Sequence, residues 1–190
     1  MKTYLLIVLF AFVGFASKAQ IVRSDLLDSS NLRVMQMSQE QNDRSDLVKP
    51  GEQMPQFTIV SDDGSKIQSS AFKGKVVLVN FFATWCPPCQ KELAAVKQSL
   101  WPKYKNNKNF VLLVIGREHN DAELKKYNEK KGFEFPLYPD KNRAIYSAFA
   151  TSLIPRSYLV DKSGKIIHVG KGFKDEEFAD QMKQIDRALK

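Results

Sequence analysis

Continuous apolar runs alternate with amphipathic stretches along most of the chain. The run at residues 76–82 is apolar at every position except Asn80, which predicts a central strand covered on both faces. A second buried strand is expected over residues 110–115, and between the two strands apolar side chains recur at helical spacing over residues 87–105. Pro102 is expected to kink or break that helix. The strand–helix–strand order predicts parallel pairing through a right-handed crossover.

Shorter patterns extend this unit in both directions. Residues 57–60 and 66–68 flank an Asp-Gly turn and predict a β-hairpin. An amphipathic helix is predicted over residues 121–131, beginning at Asn120 or Asp121 and ending at Gly132. The other predicted elements are a short helix at 143–149, an antiparallel hairpin of 156–160 and 165–170, and a helix at 175–189. The pattern therefore predicts one α/β domain over residues 50–190, with a mixed central β-sheet, helices on both faces and an N-terminal β-hairpin.

The first 49 residues have a different composition. Residues 1–19 combine a basic start, an apolar stretch shorter than the ~20 residues of a membrane span, and a small-x-small site ending at Ala19. They predict a cleaved signal peptide and a mature chain that is soluble and periplasmic or otherwise extracytoplasmic. Residues 20–49 are polar and predict an extension or linker. Leu32 and Val34 could add a strand to a sheet edge, although a segment this polar more often stays mobile.

The formal charge of the chain is +8, but its lysines are spread along the sequence. They form no arginine-rich block with interleaved aromatic residues of the kind that binds nucleic acid. Solvated helix faces and loops account for most of this charge, and no nucleic-acid partner is expected.

The only two cysteines lie in the segment Trp85-Cys86-Pro87-Pro88-Cys89. One pair of thiols cannot build a disulfide framework, and a structural zinc ion normally has four ligands. The two histidines, His119 and His168, are far apart in sequence, so a zinc site is improbable. The pair is either a switchable dithiol, which is favoured, or a pair of ligands for a soft metal such as copper(I).

The cysteine segment and its surroundings resemble the thioredoxin superfamily, with the best match to its exported TlpA/ResA-like, or Redoxin, branch. The resemblance covers about residues 50–190 and rests on residues 78–89, on Ile154-Pro155 and on residues 158–161. It implies a thioredoxin-like fold and a thiol:disulfide oxidoreductase that works through a Cys86–Cys89 redox-active disulfide and needs no other cofactor. It also implies client proteins with disulfides or thiols, an upstream membrane electron donor or acceptor, and reductant roles such as cytochrome c maturation.

Cys86 is expected where the chain passes from strand to helix. Free helix N–H groups and the helix dipole would favour its thiolate there, which can lower a cysteine pKa from ~8.5 into the range ~3.5–7.5. Cys86 is therefore the predicted attacking sulfur, and Cys89, one turn later, is the predicted resolving thiol. Pro87 and Pro88 remove N–H donors from the loop and stiffen it, so they help to set the redox potential.

Three further site residues are predicted, of which Ile154 and Pro155 follow from the resemblance and Trp85 precedes Cys86. An X-Pro bond is cis in only ~5–6% of folded cases, yet this fold places a cis-proline opposite the dithiol, so Ile154-Pro155 is predicted to be cis. The backbone of Ile154 would then pair with an extended client strand, whereas the alternative for Pro155 is a plain turn proline. Trp85 is predicted to shield the thiols and to form part of an apolar docking surface, or simply to pack in the core.

Asn80 stands where thioredoxins carry a buried aspartate that takes the proton of the resolving cysteine. Glu92, three residues after Cys89, is the nearest replacement as a proton relay, and the alternative is a solvated helix acid. Three functions remain open. They are a reductant of client disulfides, an oxidant or isomerase of the same fold, and a non-catalytic metal- or haem-handling module.

Overall fold

The structure is a computed structural model that describes residues 30–38, 40, 44–61 and 64–190. The predicted signal peptide lies outside the described residues. The chain divides into two compact units, of which the second runs from Ser45 to Lys190. In the first unit, residues 30–38 are helical (α1), so the strand considered for Leu32 and Val34 is wrong. A helix satisfies its backbone hydrogen bonds within the segment and needs no partner strand.

The second unit is built on a mixed five-stranded sheet in the order β5-β4-β3-β6-β7. Strand β3 is central, parallel to β4 and antiparallel to β6, and β5 continues the parallel side. All seven residues of β3 are buried, which confirms the predicted central strand. A separate two-stranded hairpin pairs β1 with β2. The strands are β1 Thr58–Val60, β2 Lys66–Gln68, β3 Val76–Phe82, β4 Phe110–Arg117, β5 Leu137–Asp140, β6 Arg156–Val160 and β7 Ile166–Lys171.

The helices cover both faces of this sheet. In the second unit they are α2 Pro87–Ala95, α3 Trp101–Tyr104, α4 Asp121–Lys131, α5 Tyr146–Phe149 and α6 Asp175–Leu189, with a 3₁₀ turn at Ser69–Phe72. Helix α4 has the predicted ends. Asn120 and Glu123 form a reciprocal capping box at its start, and Gly132 closes it in the left-handed conformation.

Helix α2 continues into α3 through a π-helical turn, Val96–Leu100, so of the kink or break predicted at Pro102 the break is excluded. The N–H of Trp101 donates to the carbonyl of Val96, five residues back, instead of four. This wider turn places Pro102 in the first turn of α3, where a missing N–H leaves no α-helical bond unmade.

Strand β5 was not predicted, because its four residues include Pro139. Proline is tolerated in a strand only where its missing N–H faces away from a partner, and β5 is an edge strand.

Two apolar clusters fill the space on either side of the sheet. One joins β3 and β6 to α2 and α6, and the other joins the opposite sides of those strands to α5 and its flanking residues. Because β3 runs directly into α2, the turn between them lies at the carboxyl end of the central strand. Ligand and catalytic sites of open α/β sheets form at that end.

Candidate active site

Cys86 is the N-cap residue of α2, with extended backbone angles. Its sulfur accepts a hydrogen bond from the N–H of Cys89 at 3.3 Å, and the two cysteines are joined by a disulfide. Cys86 retains 4% exposure and Cys89 retains none. Of the two sulfurs, that of Cys86 is therefore the one that a partner can approach.

Pro87 and Pro88 form the exposed first residues of α2. The first turn of a helix has N–H groups without intrahelical partners, so two prolines fit there without loss of a bond. They leave the N–H of Cys89 as the donor that reaches the sulfur of Cys86.

The Ile154–Pro155 peptide bond is cis, as the resemblance implied. The carbonyl oxygen of Ile154 lies 3.9 Å from the sulfur of Cys86, although 68 residues separate them in sequence. The fold therefore places the proline loop directly against the dithiol, where the main chain of Ile154 faces the sulfur of Cys86.

Glu92 is buried at 4% exposure, so the alternative of a solvated helix acid is wrong. Burial raises the pKa of Glu92 to about 7, and a hydrogen bond from the Asn80 side chain opposes part of that rise. The Oε2 atom of Glu92 and the Oδ1 atom of Asn80 have no hydrogen-bond partner among the described residues. A carboxyl group with a pKa near neutrality can hold or release a proton at working pH.

Trp85 is 61% exposed, which excludes core packing for this side chain.

The residue before Trp85, Thr84, is held through both its N–H and its carbonyl group. The N–H of Thr84 donates to Nε2 of His119 at 3.0 Å, and its carbonyl accepts from the Gln90 amide at 2.8 Å. His119 and Gln90 thus position the loop that leads into Cys86. Sequence reasoning missed this role, because no spacing links residue 119 to residue 84.

The known proteins that this chain resembles agree with this geometry. The Redoxin family profile matches residues 49–189. The chain belongs to the Redoxin family. It is 33% identical over 134 residues to thiol-disulfide oxidoreductase ResA of Bacillus thuringiensis subsp. konkukian, an alignment that covers 70% of this chain and 76% of the relative. This Redoxin-family chain is a thiol-disulfide oxidoreductase.

Solved structures give the same result for the fold. A candidate protein disulfide isomerase from Bacteroides thetaiotaomicron superposes with a TM-score of 0.73 at 33% identity, covering 76% of this chain and 92% of that one. A thiol:disulfide interchange protein of the thioredoxin family from Chlorobium tepidum superposes with a TM-score of 0.62 at 29% identity, covering 75% of this chain and 99% of that one. The fold is thioredoxin-like, as predicted.

Arg156 follows the cis-proline and is fully buried at the start of β6. Its guanidinium pairs with the carboxylate of Asp46 and donates to the hydroxyl of Ser45 at 2.6 Å. Asp46 also binds Lys171 at 2.6 Å. Residues just before the predicted domain start at 50 therefore neutralise a charge buried beside the site. The sequence showed a strand at Arg156 but no partner for its charge.

Within the described part of the chain, no three His, Cys, Asp or Glu side chains come together as a metal site. His119 is occupied by Thr84, and His168 lies close to the Gln184 amide. A metal-handling role would therefore rest on the two thiols of Cys86 and Cys89.

Proposed function

We propose that this Redoxin-family enzyme reduces disulfides in client proteins outside the cytoplasm through the Cys86–Cys89 dithiol. One observation carries the proposal. The sulfur of Cys86 caps α2, accepts the Cys89 N–H and faces the carbonyl of Ile154 across the site. A sulfur in this place is stabilised as a thiolate by the helix terminus, and it lies beside a main chain that can pair with a client.

The reaction transfers two electrons from the dithiol to the client. The Cys86 thiolate attacks one sulfur of the client disulfide, forming a mixed disulfide and releasing the other client sulfur as a thiolate. Cys89 then loses its proton and attacks the Cys86 sulfur, which breaks the mixed disulfide and releases the second client thiolate. Two protons convert the client thiolates to thiols, and the enzyme is left with the Cys86–Cys89 disulfide seen in the structure.

Glu92 is the proposed proton acceptor for Cys89 in the second step. It lies one helical turn after Cys89, and its raised pKa of about 7 suits a group that takes up a proton near neutral pH. Asn80 cannot accept that proton, but its hydrogen bond to Glu92 tunes the carboxyl group.

Ile154, Pro155 and Trp85 are the proposed client-binding residues. The Ile154 main chain would add the client as an extended strand, which gives binding with little sequence preference. Pro87 and Pro88 line the exposed start of α2 beside the same surface. No cofactor other than the disulfide is proposed.

One sequence feature supports a location outside the cytoplasm. Residues 1–19 have the pattern of a signal peptide. Among the described residues, no helix combines the length and apolar character needed to cross a bilayer. A membrane protein that supplies electrons would return the disulfide to the dithiol after each turnover.

A second proposal differs in the direction of electron transfer. The similarity to a candidate disulfide isomerase favours an isomerase or oxidant of the same fold as the second possibility. Cytochrome c maturation is the proposed setting for a reductant. The non-catalytic metal- or haem-handling module considered from the sequence is not proposed, because the family and the relatives of the chain are those of a thiol-disulfide oxidoreductase.

Trapping of mixed disulfides tests the proposal. A Cys89→Ser variant cannot resolve the intermediate, so it should accumulate covalent, dithiothreitol-sensitive complexes with exported proteins of its own cell. Cys86→Ser is the matched control, because it removes the attacking sulfur and should trap nothing. Equal recovery of complexes with both variants, or none with Cys89→Ser, would contradict client exchange by Cys86.

A further inference from the structure

Leu153, two residues before Pro155, has a backbone conformation that leucine rarely adopts. Its φ angle is 74°, in the left-handed region, where the Cβ atom of an L-residue crowds the backbone. Glycine avoids that crowding and asparagine offsets it by local hydrogen bonds, but leucine can do neither. The Leu153 side chain is also 45% exposed, so packing offsets only part of the cost. The surrounding structure must therefore hold Leu153 in this conformation.

A short hydrogen bond holds the carbonyl group of Leu153. The hydroxyl of Tyr146 donates to this carbonyl at 2.6 Å. Burial raises the pKa of Tyr146, so the hydroxyl keeps its proton and stays a donor at neutral pH. The Leu153 carbonyl belongs to the planar peptide unit that leads into Ile154. The hydroxyl therefore fixes the orientation of the peptide unit from which Ile154 continues.

The Tyr146 side chain is itself held in place by its neighbours. It is fully buried, and its ring meets the ring of Phe81 edge-on, with the centroids 5.2 Å apart. The guanidinium groups of Arg117 and Arg143 lie 5.2 Å and 5.3 Å from the Tyr146 ring. The N–H of Tyr146 donates to the buried carboxylate of Asp140 at 2.8 Å. Tyr146 is thus a fixed point from which a hydroxyl group can position an exposed loop.

The residue that follows Leu153 is the one that faces the dithiol. The carbonyl oxygen of Ile154 lies 3.9 Å from the sulfur of Cys86. Pairing with an extended chain needs main-chain N–H and carbonyl groups that point in fixed directions. A rotation of Leu153 out of the left-handed region would turn the peptide unit that leads into Ile154. The groups with which a client would pair would then point elsewhere.

We propose that Tyr146 is a positioning residue for polypeptide clients, because its hydroxyl holds Leu153 in the left-handed conformation and so keeps the Ile154 main chain in place for pairing. The inference rests on the proposed function, since it concerns the client-binding main chain beside the same dithiol. A polypeptide disulfide uses this main chain, whereas a small disulfide without peptide groups reacts at Cys86 alone. Tyr146 therefore controls how strongly the enzyme prefers polypeptide disulfides over small ones.

The ratio of two rate constants tests the inference. The reduced protein is mixed with cystamine, a disulfide that has no peptide group, and separately with a synthetic extended peptide that carries a disulfide. Tyr146→Phe removes the hydroxyl alone and should lower the rate constant for the peptide roughly threefold to tenfold, the effect of one typical hydrogen bond. The rate constant for cystamine should stay at the wild-type value.

Leu153→Asn gives the decisive comparison, because asparagine adopts the left-handed conformation without help from Tyr146. Tyr146→Phe should slow reduction of the peptide less in the Leu153→Asn background than in the wild type. Comparison within one background cancels any contact that the side chain of residue 153 makes with the peptide.

Tyr104→Phe is the matched control. It removes the hydroxyl of a buried tyrosine that donates to the carbonyl of Met182 at 3.0 Å, between α3 and α6. This variant should lose stability as Tyr146→Phe does, because each loses one hydrogen bond to a main-chain carbonyl. Its ratio of peptide to cystamine rate constants should nevertheless remain that of the wild type.

The possible results distinguish the positioning role of Tyr146 from the proposed function. An unchanged ratio in Tyr146→Phe, an equal fall of both rate constants, or the same loss in both Leu153 backgrounds overturns the positioning role and leaves the oxidoreductase in place. Failure of the wild-type protein to reduce the peptide contradicts the proposed function itself, and the positioning role falls with it.

Discussion

At the scale of single residues, the burial of Glu92 makes the stability of the protein depend on pH. Its pKa is raised from 4.5 to about 7 in the folded state, so between these values the folded protein keeps a proton that the unfolded chain releases. Stability is therefore full below the unfolded pKa and falls as the pH rises through the folded one. At about 1.4 kcal/mol per pKa unit, the loss is about 3 kcal/mol.

Glu92→Gln should abolish this pH dependence, because glutamine does not titrate. In urea unfolding of the oxidised protein, the wild type should lose about 3 kcal/mol more than the variant between about pH 4 and pH 8. Glu129→Gln, on the exposed side of α4, is the matched control and should follow the wild type. Parallel curves for the wild type and Glu92→Gln would show that this carboxyl group does not titrate in that window.

The contact between His119 and Thr84 gives a second prediction at this scale. His119→Leu leaves the Thr84 N–H without its acceptor, and a buried unpaired donor costs about 1–3 kcal/mol. His119→Gln offers an oxygen in place of the ring nitrogen and should retain more of the stability. Urea unfolding of the two variants at one pH measures the difference, and equal stabilities would argue against the hydrogen bond as the reason for a histidine here.

The places of single residues in the site could be predicted where the chemistry of a side chain and the family resemblance pointed to the same residue. Cys86, Cys89 and Pro155 could be placed because the cysteine segment is specific and Ile154-Pro155 follows at the expected place. The burial of Glu92 could not be decided, because an acid one turn after Cys89 can face either solvent or core. His119 and Arg156 carry no local signal, since their partners are distant in sequence.

At the scale of secondary-structure elements, local sequence rules predicted where a helix begins and ends better than they predicted an interruption within a helix. The start and end of α4 were correct because Asn120 and Gly132 act through their immediate neighbours. The helix does not break at Pro102, one of the two outcomes predicted there, because a π-helical turn accommodates the missing N–H, and a helical pattern does not reveal such a turn. Strand β5 was missed because its pairing with β4 is a tertiary contact and its proline argues against a strand.

The cap of α4 gives a third prediction. Asn120→Ala removes both the side-chain acceptor for the Glu123 N–H and the capping box, and should destabilise the protein by about 1 kcal/mol. Asn120→Ser keeps an oxygen at the same position and should lie close to the wild type. The free energies of unfolding of the two variants test this directly, and a destabilised serine variant would contradict the capping explanation.

At the scale of the whole molecule, the compact unit begins before the strands and helices that the pattern revealed. Ser45 and Asp46 bind the buried guanidinium of Arg156 beside the cis-proline loop, and the N–H of Leu47 donates to the carbonyl of Phe149. The segment that holds Ser45 and Asp46 is polar and shows no hydrophobic periodicity. Its contacts with residues more than a hundred positions away could therefore not be predicted from the sequence. The general architecture was nevertheless predictable, because the apolar runs specify the covered strands.

Two truncations give the prediction for this scale. A chain that starts at residue 45 should unfold like the mature protein, whereas one that starts at residue 50 leaves Arg156 buried without its counter-ion. Breaking a buried pair by removal of one partner costs about 3–5 kcal/mol. Asp46→Asn in the longer chain removes the charge alone and should reproduce most of the loss. Equal stability of the two truncations would show that the pair contributes nothing.

The reduction potential of the Cys86–Cys89 couple tests the central claim most directly. The full mature chain is equilibrated with glutathione and with dithiothreitol at neutral pH, and the fraction of free thiols is read by alkylation. A reversible couple at or below about −230 mV is the expected result, because a reductant must donate electrons to client disulfides. A value above about −180 mV would instead indicate an oxidant or isomerase, and a pair that forms no reversible disulfide would contradict thiol–disulfide exchange altogether.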